Sequence, residues 1–140
     1  MSDQMSDHTP CSGEPLSAKI ERGDLLAVQC PSRQVLQHMT SRWGVLVLLV
    51  LSQGTYRFAE LRRTVGGVSE RMLAKTLQDL AGHGLVERRA FDVLPPHVEY
   101  SLTPLGQEAA RHIQGLTDWI ETALPRIAEN WPAPGTPPKA

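Results

Sequence analysis

The sequence of 140 residues predicts a mainly α-helical fold with a small β-hairpin. Apolar residues recur at intervals of three or four in four segments, and this spacing places them on one face of a helix. Before the last of these segments the period falls to two, and a Pro-containing loop divides that region into two strands. Residues that start or stop helices separate the segments. Together these observations favour one compact domain.

The first helix is predicted to begin at Pro31, because proline has no N–H to leave unbonded in the first turn and its fixed φ suits a helix start. Val35, Leu36 and Met39 follow at helical spacing. The next segment, 43–51, is apolar almost all round, as a central buried helix would be. Its β-branched residues leave a buried strand as the alternative, since periodicity alone does not separate the two.

A helix, a glycine turn and a second helix follow within about thirty residues. Phe58, Leu61 and Val65 fall on one face of a short amphipathic helix, which Gly66-Gly67 interrupts. The second helix is expected to begin at Ser69, whose hydroxyl can cap its first turn. The inward stripe of this helix is predicted to contain Met72, Leu73, Leu77 and Leu80.

The period-two region predicts two antiparallel strands. The alternation involves Val86, Arg88 and Ala90 before the loop, and Val98, Tyr100 and Leu102 after it. The loop at 92–96 is longer than a tight two-residue turn, so it can project from the domain as a wing. Two helices joined by a turn and followed by a hairpin form a winged helix-turn-helix, which is the fold class that the sequence predicts.

A long C-terminal helix completes the prediction. Thr103-Pro104 is a strong start signal, an N-cap followed by a proline in the first turn, and Pro125 is expected to kink or end the helix. This helix is longer than its own small domain needs, and its apolar surface is wide.

Composition sets the expected domain boundaries. Residues 1–15 are rich in Ser, Asp, Gly and Pro and are predicted to be a disordered tail. Residues 16–130 are assigned to the winged helix-turn-helix domain with its flanking dimerisation helices, including a short helix within 16–28. Residues 131–140 are Pro-rich and are predicted to be an extended tail.

Fold and charge together indicate candidate DNA contacts. In a helix-turn-helix the second helix enters the major groove, and its early residues meet base edges. The predicted DNA-binding residues are Ser69, Glu70, Arg71, Lys75 and Thr76 on the second helix, Arg62 and Arg63 on the first, and Arg88, Arg89 and His97 on the hairpin. Arg71 can form a bidentate pair with guanine, whereas Lys75 suits a phosphate. Glu70 is better explained by the helix dipole, and His97 by a solvated strand face.

Charge and motifs restrict the function classes. The formal net charge of −1 is a mild objection to nucleic-acid binding, although residues 57–89 contain seven basic against four acidic side chains. The sequence has no Gly-rich phosphate loop, no HExxH, no CxxC and no nucleophile elbow. Its five histidines have no carboxylate or cysteine at ligand spacing. We therefore predict that the protein is not an enzyme and requires no metal or cofactor.

Hydropathy indicates a cytoplasmic protein. The N-terminus contains no apolar core of the kind that a signal peptide needs. The longest apolar run, 45–51, is too short to span a bilayer, so no membrane partner is expected.

Several motifs in a fixed order resemble one family. They are CP at 30–31, RW at 42–43, RFAEL at 57–61, GVSERML at 67–73, GLV at 84–86 and PPHVEYSLTPLG at 95–106. The stretch from Cys30 to Trp119 thus resembles the HxlR-type winged-helix regulators, which are related to the MarR-type regulators. The resemblance implies a bacterial transcriptional regulator that binds a near-palindromic DNA operator as a homodimer. It also implies that the dimer forms largely through the terminal helices. The predicted dimerisation residues are therefore Leu105, Ala109, Ile113, Leu116, Trp119, Ile120 and Ala123.

Cys30 carries a further expectation. In the family that the sequence resembles, a cysteine at this place senses oxidants or electrophiles in several members, while other members respond to small molecules. If Pro31 begins a helix, the helix dipole would lower the pKa of the Cys30 thiol and favour its reactive form. The alternative is a small apolar residue packed beneath the dimer helices. Cys30 is therefore a possible redox sensor.

A second function class is consistent with the near-neutral charge. A winged-helix domain can serve as a protein-interaction module without binding DNA. Binding to duplex DNA at low salt separates this alternative from the regulator.

Overall fold

The computed structural model describes residues 31–139. Within this range the elements are α1 (Pro31–Met39), α2 (Arg42–Leu51), β1 (Tyr56–Arg57), α3 (Phe58–Val65), α4 (Glu70–Gly82), β2 (Val86–Phe91), β3 (His97–Leu102) and α5 (Pro104–Ala128). The predicted fold class, a mainly helical winged helix-turn-helix with a small hairpin, is confirmed. The predictions for the tail at 1–15, for the helix within 16–28 and for Cys30 lie outside the described residues.

The structure resolves the alternative left open for 43–51, which is helical. The Ser41 hydroxyl accepts a hydrogen bond from the N–H of Gly44 at 3.0 Å and thereby caps the first turn of α2. Gly44 is buried against α1, and a β-carbon there would lie only 2.1 Å from the carbonyl oxygen of His38. The close approach of α1 and α2 therefore depends on glycine at this position.

The core is centred on α2, which the other elements surround. Its buried members are Val47, Leu48 and Leu51 from α2, Leu61 from α3, Val68 from the turn, Leu73, Leu77 and Leu80 from α4, Leu85, Val86 and Leu102 from the sheet region, and Ala110 and Ile113 from α5. Burying each of the large side chains contributes about 1.5 to 3 kcal/mol relative to leaving it in water. This packing holds α3 and α4 in a fixed relation to each other.

The hairpin belongs to a three-stranded antiparallel sheet with the order β1-β3-β2. In β2 and β3, Val86 is opposite Leu102 and Phe91 is opposite His97. The strand bounds confirm the alternation seen in the sequence. The sequence analysis missed β1, because two residues are too few to show a period.

Of the two alternatives predicted for Pro125, a kink or the end of the helix, the structure excludes the second. Pro125 lies inside α5, which continues to Ala128. Proline removes one hydrogen bond, and so close to the end of the helix this loss leaves the last turn in place. In the Pro-rich segment that follows, the N–H of Thr136 donates to the carbonyl of Ala133 at 3.0 Å. This segment therefore contains a hydrogen-bonded turn and is not wholly extended.

Candidate nucleic-acid interface

The N-terminus of α4 is the centre of the candidate interface. Ser69 caps it, since its hydroxyl accepts a hydrogen bond from the N–H of Met72 at 3.1 Å. Gly66 and Gly67 precede it with φ values of 74° and 80°, in the left-handed region that glycine adopts without steric cost. This turn directs the chain so that Ser69, Glu70 and Arg71 are all exposed at the start of the helix.

The exposed side chain of Arg62 stabilises this turn through contacts with other residues of the chain. Its Nε donates to the carbonyl oxygen of Val68 at 3.2 Å, and its Nη1 lies 3.3 Å from Oε2 of Glu70. The guanidinium thus connects α3 to the first turn of α4. Glu70 thus has an ion-pair partner in addition to the helix dipole. The side chain of Arg63, next to Arg62, is exposed and makes no hydrogen bond or ion pair with residues 31–139.

One predicted contact on α4 is wrong. Thr76 is only 6% exposed, and its hydroxyl donates to the carbonyl of Met72 at 2.8 Å. It lies three residues after Leu73 and four before Leu80, so it falls within the inward stripe that those leucines define. Thr76 therefore belongs to the core side of α4 and is not available to DNA.

The prediction that Met72 lies in the inward stripe of α4 is also wrong. In the structure its side chain is 45% exposed. Leu73, Leu77 and Leu80 form the buried stripe without it.

The exposed face of α4 therefore contains Arg71, Met72, Ala74, Lys75 and Gln78. Ala74 and Gln78 were not considered from the sequence, although the spacing of the buried leucines places both on the outer face. The side chain of Arg71 makes no hydrogen bond or ion pair within the described part of the chain. Its guanidinium is therefore free to bind another molecule.

Lys75 is engaged in a polar chain that connects α4 to α1. Its Nζ lies 2.9 Å from Oδ1 and 3.0 Å from Oδ2 of Asp79, one turn further along. Oδ2 of Asp79 is 3.8 Å from Nε2 of His38 in α1. The Nδ1 of His38 is 2.7 Å from Nε2 of His83, just beyond α4. These polar contacts thus join α1 to the second half of α4 and to His83 just beyond it.

The two hairpin arginines project to opposite faces of the sheet. Arg88 is opposite Tyr100 and Arg89 is opposite Glu99, and successive residues of a strand alternate between faces. Nη2 of Arg89 lies 3.8 Å from Oε2 of Glu87 on its own face. The side chain of Arg88 is exposed and makes no hydrogen bond or ion pair with residues 31–139. Arg88 is therefore the better placed of the two to meet a phosphate.

His97 is held within the hairpin. Its ring stacks on Phe91 with 4.9 Å between ring centroids, and its Nε2 is 3.1 Å from Oε2 of Glu99. The side chain is half-buried between these partners. This environment differs from the solvated strand face considered from the sequence, and it gives His97 a role in the base of the wing.

Two neighbouring concavities share Ser69. The larger, of about 610 Å³, is lined among others by Arg62, Arg63 and Glu70, and the smaller, of about 270 Å³, by Arg71, Met72 and Lys75. The basic side chains of α3 and α4 consequently border one continuous surface around the N-terminus of α4. An exposed helix N-terminus flanked by arginines suits a phosphate backbone.

The outer side of α5 is apolar and uncovered. Leu105, Leu116, Trp119, Ile120 and Leu124 are exposed there, and Trp119 is 55% exposed. Three residues of the predicted dimerisation set are not available in this way. Ala109 packs against the core, Ile113 belongs to it, and Ala123 is 1% exposed, so these three contribute to the fold of one chain.

The comparison with known families adds to this geometry. The model of the HxlR-like helix-turn-helix family matches residues 38–128, from α1 to the last residue of α5. The match covers more than half of the chain. This protein belongs to the HxlR-like helix-turn-helix family.

Individual relatives agree with the HxlR assignment. The HTH-type transcriptional regulator YtfH of Escherichia coli strain K12 is 56% identical over 112 residues, which are 80% of this chain and 89% of YtfH. The structure of the transcriptional regulator ytfH from Salmonella typhimurium is 57% identical, with a TM-score of 0.69 over 74% of this chain and 92% of that one. The redox regulator HypR in its reduced form is 30% identical, with a TM-score of 0.61 over 66% of this chain and 92% of HypR.

As an HxlR-type protein the chain is a transcriptional regulator rather than an enzyme. Within residues 31–139 no three His, Cys, Asp or Glu side chains are arranged to share a metal ion. None of the described helices has the length and hydropathy that crossing a membrane requires.

Proposed function

We propose that this HxlR-type regulator is a cytoplasmic homodimer that binds a near-palindromic operator in duplex DNA. The observation that carries the proposal is the first turn of α4, where an uncommitted Arg71 lies beside a capped and exposed helix N-terminus. Early residues of a recognition helix meet base edges in the major groove. Arg71 is the one most suited to guanine, with which it can form two hydrogen bonds.

The pattern of ion pairs answers the objection raised by the net charge. Within the described residues, Glu70 is paired with Arg62 and Asp79 with Lys75. Arg63, Arg71 and Arg88 have no such partner among them. The local excess of positive charge therefore comes from three arginines around α4 and β2, and a whole-chain charge of −1 does not describe that surface.

The exposed face of α5 supports the homodimer. Leu116, Trp119 and Ile120 would leave water on pairing, and large apolar side chains at the centre of an interface contribute most to association. Leu36 of α1 and Leu46 of α2 are also exposed and extend the available apolar surface. A two-fold dimer would present two copies of α4 to successive major grooves, about 34 Å apart on one face of the duplex.

The proposal is tested with a duplex selected from a randomised pool. Binding is measured by fluorescence anisotropy at several salt concentrations, and affinity should fall steeply with salt because several phosphates are neutralised. Arg71→Ala should lose discrimination between the selected duplex and a scrambled one by roughly tenfold or more. Arg88→Ala should weaken binding to both alike.

Two outcomes would overturn the proposal. Absence of binding at low salt would favour a winged-helix protein-interaction module. Unchanged binding by both variants would show that the assigned surface does not contact DNA.

The effector of the regulator is open to the same kind of test. HypR is named a redox regulator, and this chain has Cys30 directly before α1. We propose that an oxidant or a small molecule controls operator binding, with Cys30 as the residue to test first.

A further inference from the structure

The recognition face of α4 contains one large apolar side chain among its cations. Met72 is 45% exposed, with Arg71 before it and Lys75 one turn after it. These three residues and Ser69 line the same concavity of about 270 Å³. At the first turn of a recognition helix, this exposed apolar side chain is placed to meet an apolar group in the groove that the helix enters.

The major groove offers one apolar group, the C5-methyl of thymine. A methionine side chain is unbranched and flexible, so it adapts to a small apolar surface without a demanding geometry. The flanking Arg71 and Lys75 bring the phosphate backbone and base edges close to this helix by charge complementarity. Side chains on a helix also point back towards its N-terminus, which directs Met72 towards Ser69 and the groove.

We propose that Met72 reads the C5-methyl of one thymine in each operator half-site, and this inference rests on the proposed operator binding. Arg71 and Met72 share one concavity, and base pairs follow each other every 3.4 Å or so along a strand. The thymine should therefore lie within about two base pairs of the guanine that Arg71 contacts. Met72 is then a specificity-determining residue, whereas Lys75 contributes affinity alone.

The test removes the methyl group and nothing else. Each thymine of the selected operator is replaced in turn by 2′-deoxyuridine, and binding to the parent protein is measured by fluorescence anisotropy. One position per half-site should lose about fourfold in affinity, which corresponds to one buried methyl group. Substitution in both half-sites should lose about fifteenfold.

The variant Met72→Ala assigns the effect to the side chain. It should bind the thymine operator about fourfold more weakly per half-site and should no longer distinguish thymine from uracil. Gln78→Ala, an exposed change on the same helix, should keep the distinction. Circular dichroism should show both variants folded, because neither side chain belongs to the core.

The possible outcomes separate this inference from the function on which it rests. If the parent binds its operator but no thymine position responds to loss of the methyl group, the inference is overturned and operator binding stands. The same holds if Met72→Ala remains sensitive to the methyl group. If the parent selects no duplex at all, operator binding fails and this inference fails with it.

Discussion

Gly106→Ala is predicted to destabilise the fold, because it adds a single methyl group directly against backbone. Gly106 lies in the first turn of α5, where its N–H donates to the capping hydroxyl of Thr103 at 2.9 Å. A β-carbon at this position would lie 1.9 Å from the carbonyl oxygen of Leu85. That oxygen accepts a hydrogen bond from the N–H of Thr103 at 3.1 Å. The start of α5 is therefore fitted directly against backbone.

The expected size follows from the contact. Ordinary separation of the new carbon from the Leu85 oxygen requires a shift of about 1.5 Å, and the neighbour is backbone that cannot rotate away. Overpacking of this kind costs about 1 to 3 kcal/mol, and weakening the Thr103–Leu85 hydrogen bond adds about 1 kcal/mol. Alanine's better helix propensity offsets up to about 1 kcal/mol. A net destabilisation of about 1 to 4 kcal/mol is expected.

Urea denaturation followed by circular dichroism measures this loss. All proteins are compared at one protomer concentration, because the proposed dimerisation would make stability depend on it. With an m-value of about 2 kcal/mol per molar urea, the midpoint should fall by about 0.5 to 2 M. Gly82→Ala is the matched control, since a β-carbon there meets nothing within 4 Å; its midpoint should stay level or rise. If Gly106→Ala unfolds at the midpoint of the parent, the reasoning about this contact is wrong.

Three further substitutions test the proposed dimer interface, the proposed phosphate contact of Lys75 and the redox role of Cys30. Trp119→Glu should convert the proposed dimer to a folded monomer in sedimentation equilibrium, because it places a charge on the apolar face of α5. The control Arg111→Glu, on the polar side of α5, should remain dimeric. A dimeric Trp119→Glu would contradict this interface. Asp79→Asn removes the partner of Lys75, so the affinity for all duplexes should rise a few-fold at low salt. The salt slope should become steeper by up to about 1.8, since each protomer of the proposed dimer contributes one Lys75; an unchanged slope would show that Lys75 does not reach phosphate. The redox hypothesis predicts that a mild oxidant releases the operator from the parent but not from Cys30→Ser, as followed by gel shift, and release from both would exclude Cys30 as the sensor.

Periodicity was sufficient to predict the helices and the hairpin, because each buries one face over several turns or several residue pairs. It did not predict β1, whose two residues pair with β3 through the backbone alone. The helical assignment of 43–51 was left open because this segment packs on nearly all sides, and its fold became clear only with the Ser41 cap and the contact between Gly44 and α1.

The helices and strands that carry the candidate site were predicted from the sequence, whereas the burial and pairing of several of its side chains were not. The predictions for Thr76 and Met72 are wrong because they rest on residue type, which favours an exposed hydroxyl and a buried thioether. The positions of the leucines on α4 fix the opposite arrangement. The pairing of Arg62 with Val68 and Glu70, and of Lys75 with Asp79, depends on distances between side chains that sequence spacing does not give. The same is true of Ile113 and Ala123, which the fold of one chain buries.

In the proposed complex, two copies of α4 occupy successive major grooves of one operator. Hydroxyl-radical footprinting of the selected duplex tests this arrangement. The parent should protect two segments on one face of the DNA, with centres about 10 to 10.5 base pairs apart, and Trp119→Glu should lose this paired protection at the same protein concentration. A single protected segment, or none at low salt, would contradict the claim.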